Sequence, residues 1–291
     1  MACYSEIVSA TDLAACGDAP DVVIVDCRFS LSAPEDGATA YARGHIPGAR
    51  YAHLERDLSG PRDGVSGRHP LPSRAAFQET LHTLGITPRS QVIAYDDGSG
   101  VYASRLWWLL RGFWGHRAVA VLDRGLAGWV AEGRALTADP PVPCAAAPAY
   151  PPPAEHEGVW FDTGAVWDEL HRPQHRLLLD ARGAARYQGT VEPIDPVAGH
   201  IPGARNRPFE DNLAAHRGFR PAAELRQDFA ALLGDREPHE VIHYCGSGVS
   251  ACHNILAMAI AGYGVTPLYP GSWSAWVSDP ARPVARGADR A

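Results

Sequence analysis

A seven-residue string occurs twice in this chain. Gly44-His45-Ile46-Pro47-Gly48-Ala49-Arg50 returns 155 positions later as Gly199-His200-Ile201-Pro202-Gly203-Ala204-Arg205. Other pieces repeat around it in the same order. Val25-Asp26-Cys27-Arg28 answers to Leu179-Asp180-Ala181-Arg182, and Ile93-Ala94-Tyr95-Asp96 answers to Ile242-His243-Tyr244-Cys245. Gly125-Leu126-Ala127-Gly128-Trp129 then answers to Gly271-Ser272-Trp273-Ser274-Ala275-Trp276. Solenoid repeats run about 20–50 residues, whereas a period near 150 is the size of a domain. Two copies of one domain are therefore expected, over residues 1–138 and 154–291. A Pro- and Ala-rich linker over 139–153 would join them, since such segments are extended and semi-rigid.

Each copy carries an α/β pattern. Val22 to Val25, Val92 to Tyr95 and Val119 to Leu122 are short apolar runs suited to buried parallel strands. Helical stretches alternate with them at Arg74 to Leu84 and Tyr102 to Arg111. The second copy offers strands at Arg176 to Leu179, Val241 to Tyr244 and Pro267 to Tyr269. Its helices are expected at Thr163 to Leu170, Pro221 to Leu233 and Ser250 to Ala261. The expected fold class is α/β, with a parallel sheet flanked by helices in each domain. Trp107, Trp108, Trp129, Trp273 and Trp276 are expected to pack in cores or interfaces, because aromatic rings bury large areas.

Ligands of such sheets bind beyond the carboxyl ends of the strands, and Cys245 stands there, between a strand and a helix. Gly246 and Gly248 follow it, then Val249 and Ser250. Glycine lets a short loop curl, successive N–H groups of a curled loop make an anion nest, and the following helix adds positive dipole. Such surroundings favour a thiolate. The first copy has Asp96 at the matching position, followed by a loop one residue longer. A carboxylate is no substitute for a thiolate nucleophile, so only the second copy can run thiolate chemistry.

The string Cys245-Gly246-Ser247-Gly248-Val249-Ser250 resembles the active-site loop of the rhodanese superfamily of sulfurtransferases, in particular its 3-mercaptopyruvate branch. Leu179 to Arg182, Gly199 to Ala204 and Gly271-Ser272-Trp273 extend the resemblance over nearly the whole chain. It implies two packed rhodanese-like domains, a persulfide on Cys245 and two half-reactions with ping-pong kinetics. It further implies a relay in which Ser247 works with a histidine and an aspartate of the first domain. His69 and Asp57 match those places, with Asp63 as an alternative acid. Arg186 matches the arginine that grips the donor anion through paired hydrogen bonds, although an ion pair with Glu192 or Asp195 would also account for it. Arg182 reads as structural, paired with a carboxylate, and Cys252 as packed core. Where the branch has a second substrate arginine, this chain has Asp195.

Thiosulfate-specialised members of the superfamily carry basic residues just after the cysteine, whereas Gly246 and Ser247 are neutral. The expected donor is therefore 3-mercaptopyruvate, with thiosulfate as the alternative small anionic donor. The acceptor is expected to be cyanide, a thiol or a thioredoxin-like protein. A rhodanese-like module with a purely regulatory role is the rival of another class. A cysteine phosphatase needs C-x5-R, and Ala251 stands where the arginine would be. No cofactor or metal is expected: the thirteen histidines are scattered, and His171 with His175 lacks a glutamate motif. Net charge of −7 without a basic run argues against nucleic-acid binding. Met1 to Pro20 lacks the features of a signal peptide, and runs such as Val22 to Val25 are too short to span a bilayer. The six cysteines show no C-x-x-C pair. A cytoplasmic protein is expected, with no membrane partner.

Overall fold

The computed structural model describes residues 4–141, 150–151, 159–172 and 176–288. Most of the expected linker, together with Cys3, Cys144 and His175, lies outside the described residues. Contacts divide the chain into two compact units. The first comprises Met1–Gly60, Leu71–Glu155 and Ala215–Phe219; the second comprises Pro61–Pro70, His156–Ala214 and Arg220–Ala291. The segment 61–70 thus belongs, by its contacts, with the second unit.

The first unit runs β1 (Ile7–Val8), α1 (Ala10–Cys16), β2 (Val22–Asp26), α2 (Asp36–Arg43), β3 (Arg50–Tyr51), α3 (Arg74–Thr83), β4 (Gln91–Tyr95), α4 (Ala103–Trp108), β5 (Val119–Leu122) and α5 (Gly125–Ala131). Its five strands are all parallel, in the order β1-β5-β4-β2-β3. Every residue of β4 and β5 is buried, as expected of strands covered on both faces. The helix expected over Tyr102 to Arg111 is α4 followed by a π-helical turn at Leu109–Trp114. Trp107, Trp108 and Trp114 are fully buried there.

The second unit runs α6 (Thr163–Leu170), β6 (Leu177–Asp180), α7 (Ala184–Gln188), β7 (Arg205–Asn206), α8 (Ala222–Leu233), β8 (Val241–Tyr244), α9 (Ser250–Ile260) and α10 (Ser272–Trp276). Its parallel sheet has the order β7-β6-β8. The strand expected at Pro267 to Tyr269 is reduced to single bridges from Leu268 to His243 and to Trp160. These bridges occupy the places of β5 and β1, so the topology of the first unit is preserved in outline.

Two of the repeated strings, the Asp-x-Arg run and the Gly-His-Ile-Pro-Gly run, form a latch in each unit. In the first unit Arg28 is clamped by Asp26 and donates to the Gly44 carbonyl. In the second, Arg182 is clamped by Asp180 and donates to the Gly199 carbonyl. His45 stacks on Tyr41 and His200 on Tyr187, with ring centroids 4.0 and 3.7 Å apart. Burial opposes the charge of Arg182, but Asp180 outweighs it and raises the pKa. The structural reading of Arg182 agrees with this. Buried ion pairs of this kind are costly to break by removing one partner.

Candidate active site

Cys245 follows β8 directly and precedes α9 by four residues. It is 2% exposed. Its amide donates to Ser272 Oγ at 3.0 Å, and its carbonyl accepts from the Trp273 amide at 2.9 Å. Ser272 in turn donates to the Tyr269 carbonyl. Ser272 has φ +54°, a left-handed conformation that costs a non-glycine residue energy. The corresponding hydrogen bond in the first unit runs from Leu126 to the Asp96 carbonyl. Ser272 therefore matches Gly125, with φ +50°, and the repeat is shifted by one residue from the glycine-to-glycine match that the sequence suggests. Sequence reasoning missed Ser272 for that reason.

Within the loop, Gly248 has φ +74° and a Cβ there would lie 2.4 Å from the Pro270 carbonyl oxygen. Only glycine fits that close approach. The backbone amides of Gly246, Ser247, Val249 and Ser250 donate to no protein acceptor among the described residues outside the helix. The loop therefore presents unengaged donors beside the sulfur, as an anion nest requires. Cys252 is fully buried, and its thiol donates to the Gly248 carbonyl at 3.3 Å, in keeping with a packing role.

The segment 61–70 lies against this loop. Ser247 Oγ and His69 Nδ1 are 2.8 Å apart, and both residues are buried. Which atom carries the proton depends on the imidazole tautomer. The Arg68 amide donates to Ser274 Oγ, while the Ser274 amide donates to the Gly246 carbonyl. The first turn of α10 thus fastens the segment and the Cys245 loop together. Gly67, with φ +92°, permits the approach, because a Cβ would lie 2.6 Å from the Gly271 carbonyl oxygen.

Asp57 belongs to the first unit, where its carboxylate accepts from the His53 amide at 2.6 Å. Asp63, the alternative acid, closes its own turn. It accepts from the Val65 and Ser66 amides and the Ser66 hydroxyl, which hold its pKa down at about 2.

Arg186 projects from α7. Its Nε and Nη2 donate to Glu192, and Nη2 also reaches Asp195 at 3.0 Å. The ion pairs anticipated as an alternative account of Arg186 are both present. Asp195 is not a bare substitute for an arginine: it bridges Arg186 and Arg68. Burial pushes the Asp195 carboxyl up against the pull of these two cations. Arg68 was missed in the sequence, where its only signal is its place beside His69. Among the described residues, no group of histidine, cysteine or acidic side chains could hold a metal ion. No described helix is long and apolar enough to cross a membrane.

Comparison with known proteins agrees with this geometry. The rhodanese-like domain model matches residues 9–132 and 162–279. A Pseudomonas aeruginosa protein named "Probable 3-mercaptopyruvate sulfurtransferase" is 46% identical over 97% of this chain and 99% of its own length. The thiosulfate sulfurtransferase of Gallus gallus is 34% identical, over 87% of this chain and 85% of its own. SseA from Escherichia coli, described as a 3-mercaptopyruvate sulfotransferase, superposes with a TM-score of 0.77 at 31% identity. That match covers 93% of this chain and 99% of SseA.

Proposed function

The chain belongs to the rhodanese family as a tandem-domain sulfurtransferase, and on that premise we propose that it moves sulfur from 3-mercaptopyruvate to a thiophilic acceptor through a persulfide on Cys245. The observation that carries the choice of donor is the Ser247–His69 hydrogen bond. 3-Mercaptopyruvate brings a thiol proton that must be taken up and redelivered; thiosulfate, a dianion, brings none. A serine–histidine pair serves the first donor and is idle with the second.

In the first half-reaction the Cys245 thiolate attacks the donor sulfur. The carbon–sulfur bond breaks and its electron pair passes to the carbon, as the enolate of pyruvate. The Ser247–His69 pair carries the thiol proton to that carbon, which leaves pyruvate and a Cys245 persulfide anion. The loop amides of Gly246, Gly248, Val249 and Ser250 hold the anionic sulfur, and Arg186 grips the donor carboxylate. In the second half-reaction cyanide, a thiol or a thioredoxin-like protein attacks the outer sulfur and regenerates the thiolate. The nucleophile is assigned to the domain over 154–291, the domain over 1–138 being non-catalytic in the sense that it has no cysteine at that position, and 139–153 is the linker. A reducing compartment such as the cytoplasm suits a persistent thiolate.

Thiosulfate is the second reading, favoured by the two guanidinium groups that lie beside the otherwise neutral loop. Steady-state kinetics with each donor and cyanide, with Cys245→Ser as blank, separates the two. A kcat/KM at least about tenfold higher for 3-mercaptopyruvate supports the primary reading. Preference for thiosulfate refutes it, and activity with neither points to a regulatory module.

A further inference from the structure

We propose that Arg68 is a second donor-binding residue, forming with Arg186 a two-armed clamp for the donor carboxylate above Gly246. The inference deepens the function proposed above and rests on it. It starts from the nitrogens that the surrounding network leaves unused. Arg68 spends Nη1 on Asp195, and Arg186 spends Nε and Nη2 on Glu192 and Asp195. Among the described residues, Arg68 Nη2 and Arg186 Nη1 make no hydrogen bond, and neither is a buried orphan. These are the atoms that converge beside Cys245. A Cβ built on Gly246 would lie 2.9 Å from Arg68 Nη2 and 3.5 Å from Arg186 Nη1. Two accessible donors on separate guanidinium groups match the two oxygens of one carboxylate. Gly246 has no side chain because that space belongs to the clamp and its ligand.

Charge supports the same assignment. Arg68, Arg182 and Arg186 form ion pairs with Asp180, Glu192 and Asp195. The cluster is neutral with Arg68 and carries one net negative charge without it. A site that must admit an anion therefore needs Arg68 even to avoid repulsion. Asp195 holds both arms at one spacing, so it acts as the brace of the clamp. In this arrangement the arginine absent after Glu192-Pro193-Ile194 is replaced from a different loop, 127 positions away in sequence from Asp195.

The test compares wild type with Arg68→Met, Arg68→Lys and Gly246→Ala, each with 3-mercaptopyruvate and with mercaptoacetone, its carboxylate-free analogue. Arg68→Met is expected to raise KM for 3-mercaptopyruvate about 10- to 100-fold, with kcat within about threefold. Its kcat/KM for mercaptoacetone is expected to stay within about threefold of wild type. Arg68→Lys keeps the charge without the fork and is expected to show a smaller rise. Gly246→Ala displaces the flexible end of Arg68 and is expected to lower kcat/KM for 3-mercaptopyruvate at least about tenfold more than kcat/KM for mercaptoacetone, which keeps the proposal testable if Arg68→Met fails to fold. Equal losses with both donors, or an unchanged KM for 3-mercaptopyruvate, overturn the clamp. If wild type transfers no sulfur from 3-mercaptopyruvate, the function proposed above fails and pyruvate affinity by calorimetry decides the clamp alone. About tenfold weaker pyruvate binding by Arg68→Met then upholds it, whereas equal affinity, or no binding by wild type, overturns it.

Discussion

The loop after β4 and the loop after β8 are the same device put to opposite uses. In the first unit the amides of Gly98, Gly100, Tyr102 and Ala103 all donate to the Asp96 carboxylate, at 2.9–3.4 Å. Asp96 is 2% exposed, and burial raises its pKa against the pull of these amides. The nest is filled by its own first side chain. In the second unit Cys245 holds that place, and its loop amides are left with capacity to donate. The filled nest reveals where such a loop aims its N–H groups: at the side chain that follows the strand. A carboxylate there completes a structural knot, whereas a cysteine there supplies no carboxylate to engage the loop amides.

The comparison breaks most readily at the nucleophile. Cys245→Ser is expected to lower sulfur transfer at least about 10³-fold, and adding Asp96→Cys to that variant is expected to restore none of it. Transfer by the double variant, followed with cyanide as acceptor, would mean that the two loops are interchangeable. Asp96→Ala should instead destabilise the first unit, by about 2–4 kcal/mol, because several buried amides lose their acceptor. Urea unfolding measures this, and an unchanged midpoint would remove the structural role.

A further difference lies two positions earlier, where His243 stands opposite Ala94 in the repeat. His243 is fully buried, and burial pulls its pKa down to about 3. Its folded pKa lies below its unfolded value near 6.5, so the unfolded state binds the proton more readily. Stability is therefore intact above about pH 6.5 and falls as pH drops toward 3. Between pH 6.5 and 5 the loss from this group is about 2 kcal/mol. His243→Leu should remove that part of the acid dependence, and an identical slope of unfolding free energy against pH would contradict it. The smallest expected effect is at the relay. Ser247→Ala should lower kcat with 3-mercaptopyruvate about tenfold, or about 1.4 kcal/mol, while thiosulfate turnover changes less. Equal losses with the two donors would dissociate the serine from proton transfer.

The tandem α/β organisation was legible from residues alone. The repeated strings mark equivalent points of two sheets, and buried apolar runs such as Val241 to Tyr244 became strands at the expected place. Short pieces were less legible. Ala184–Gln188 and Ser272–Trp276 are helices of five residues, too brief for a periodic pattern to declare itself. Leu268 is held by bridges to two separate stretches of chain rather than by a long run of its own. The string around Arg186 suggested either a substrate contact or an ion pair, and the tertiary structure supplies the ion pairs while leaving Nη1 unengaged.

By itself the sequence determined the family, the duplication and which of the two loops can carry a nucleophile. Those facts depend on residue identity and local spacing: a thiol against a carboxylate, and glycines where a strand turns into a helix. Only the tertiary structure decided what faces Cys245. Arg68 and Gly246 are 178 positions apart, as are His69 and Ser247. No periodicity connects residues so far apart. They meet because Gly67 allows the backbone of residues 61–70 to approach α10, where Ser274 holds it with a hydrogen bond. Side-chain chemistry is written residue by residue, but an electrostatic site is a sum over space, and space is assigned by the packing of the whole unit.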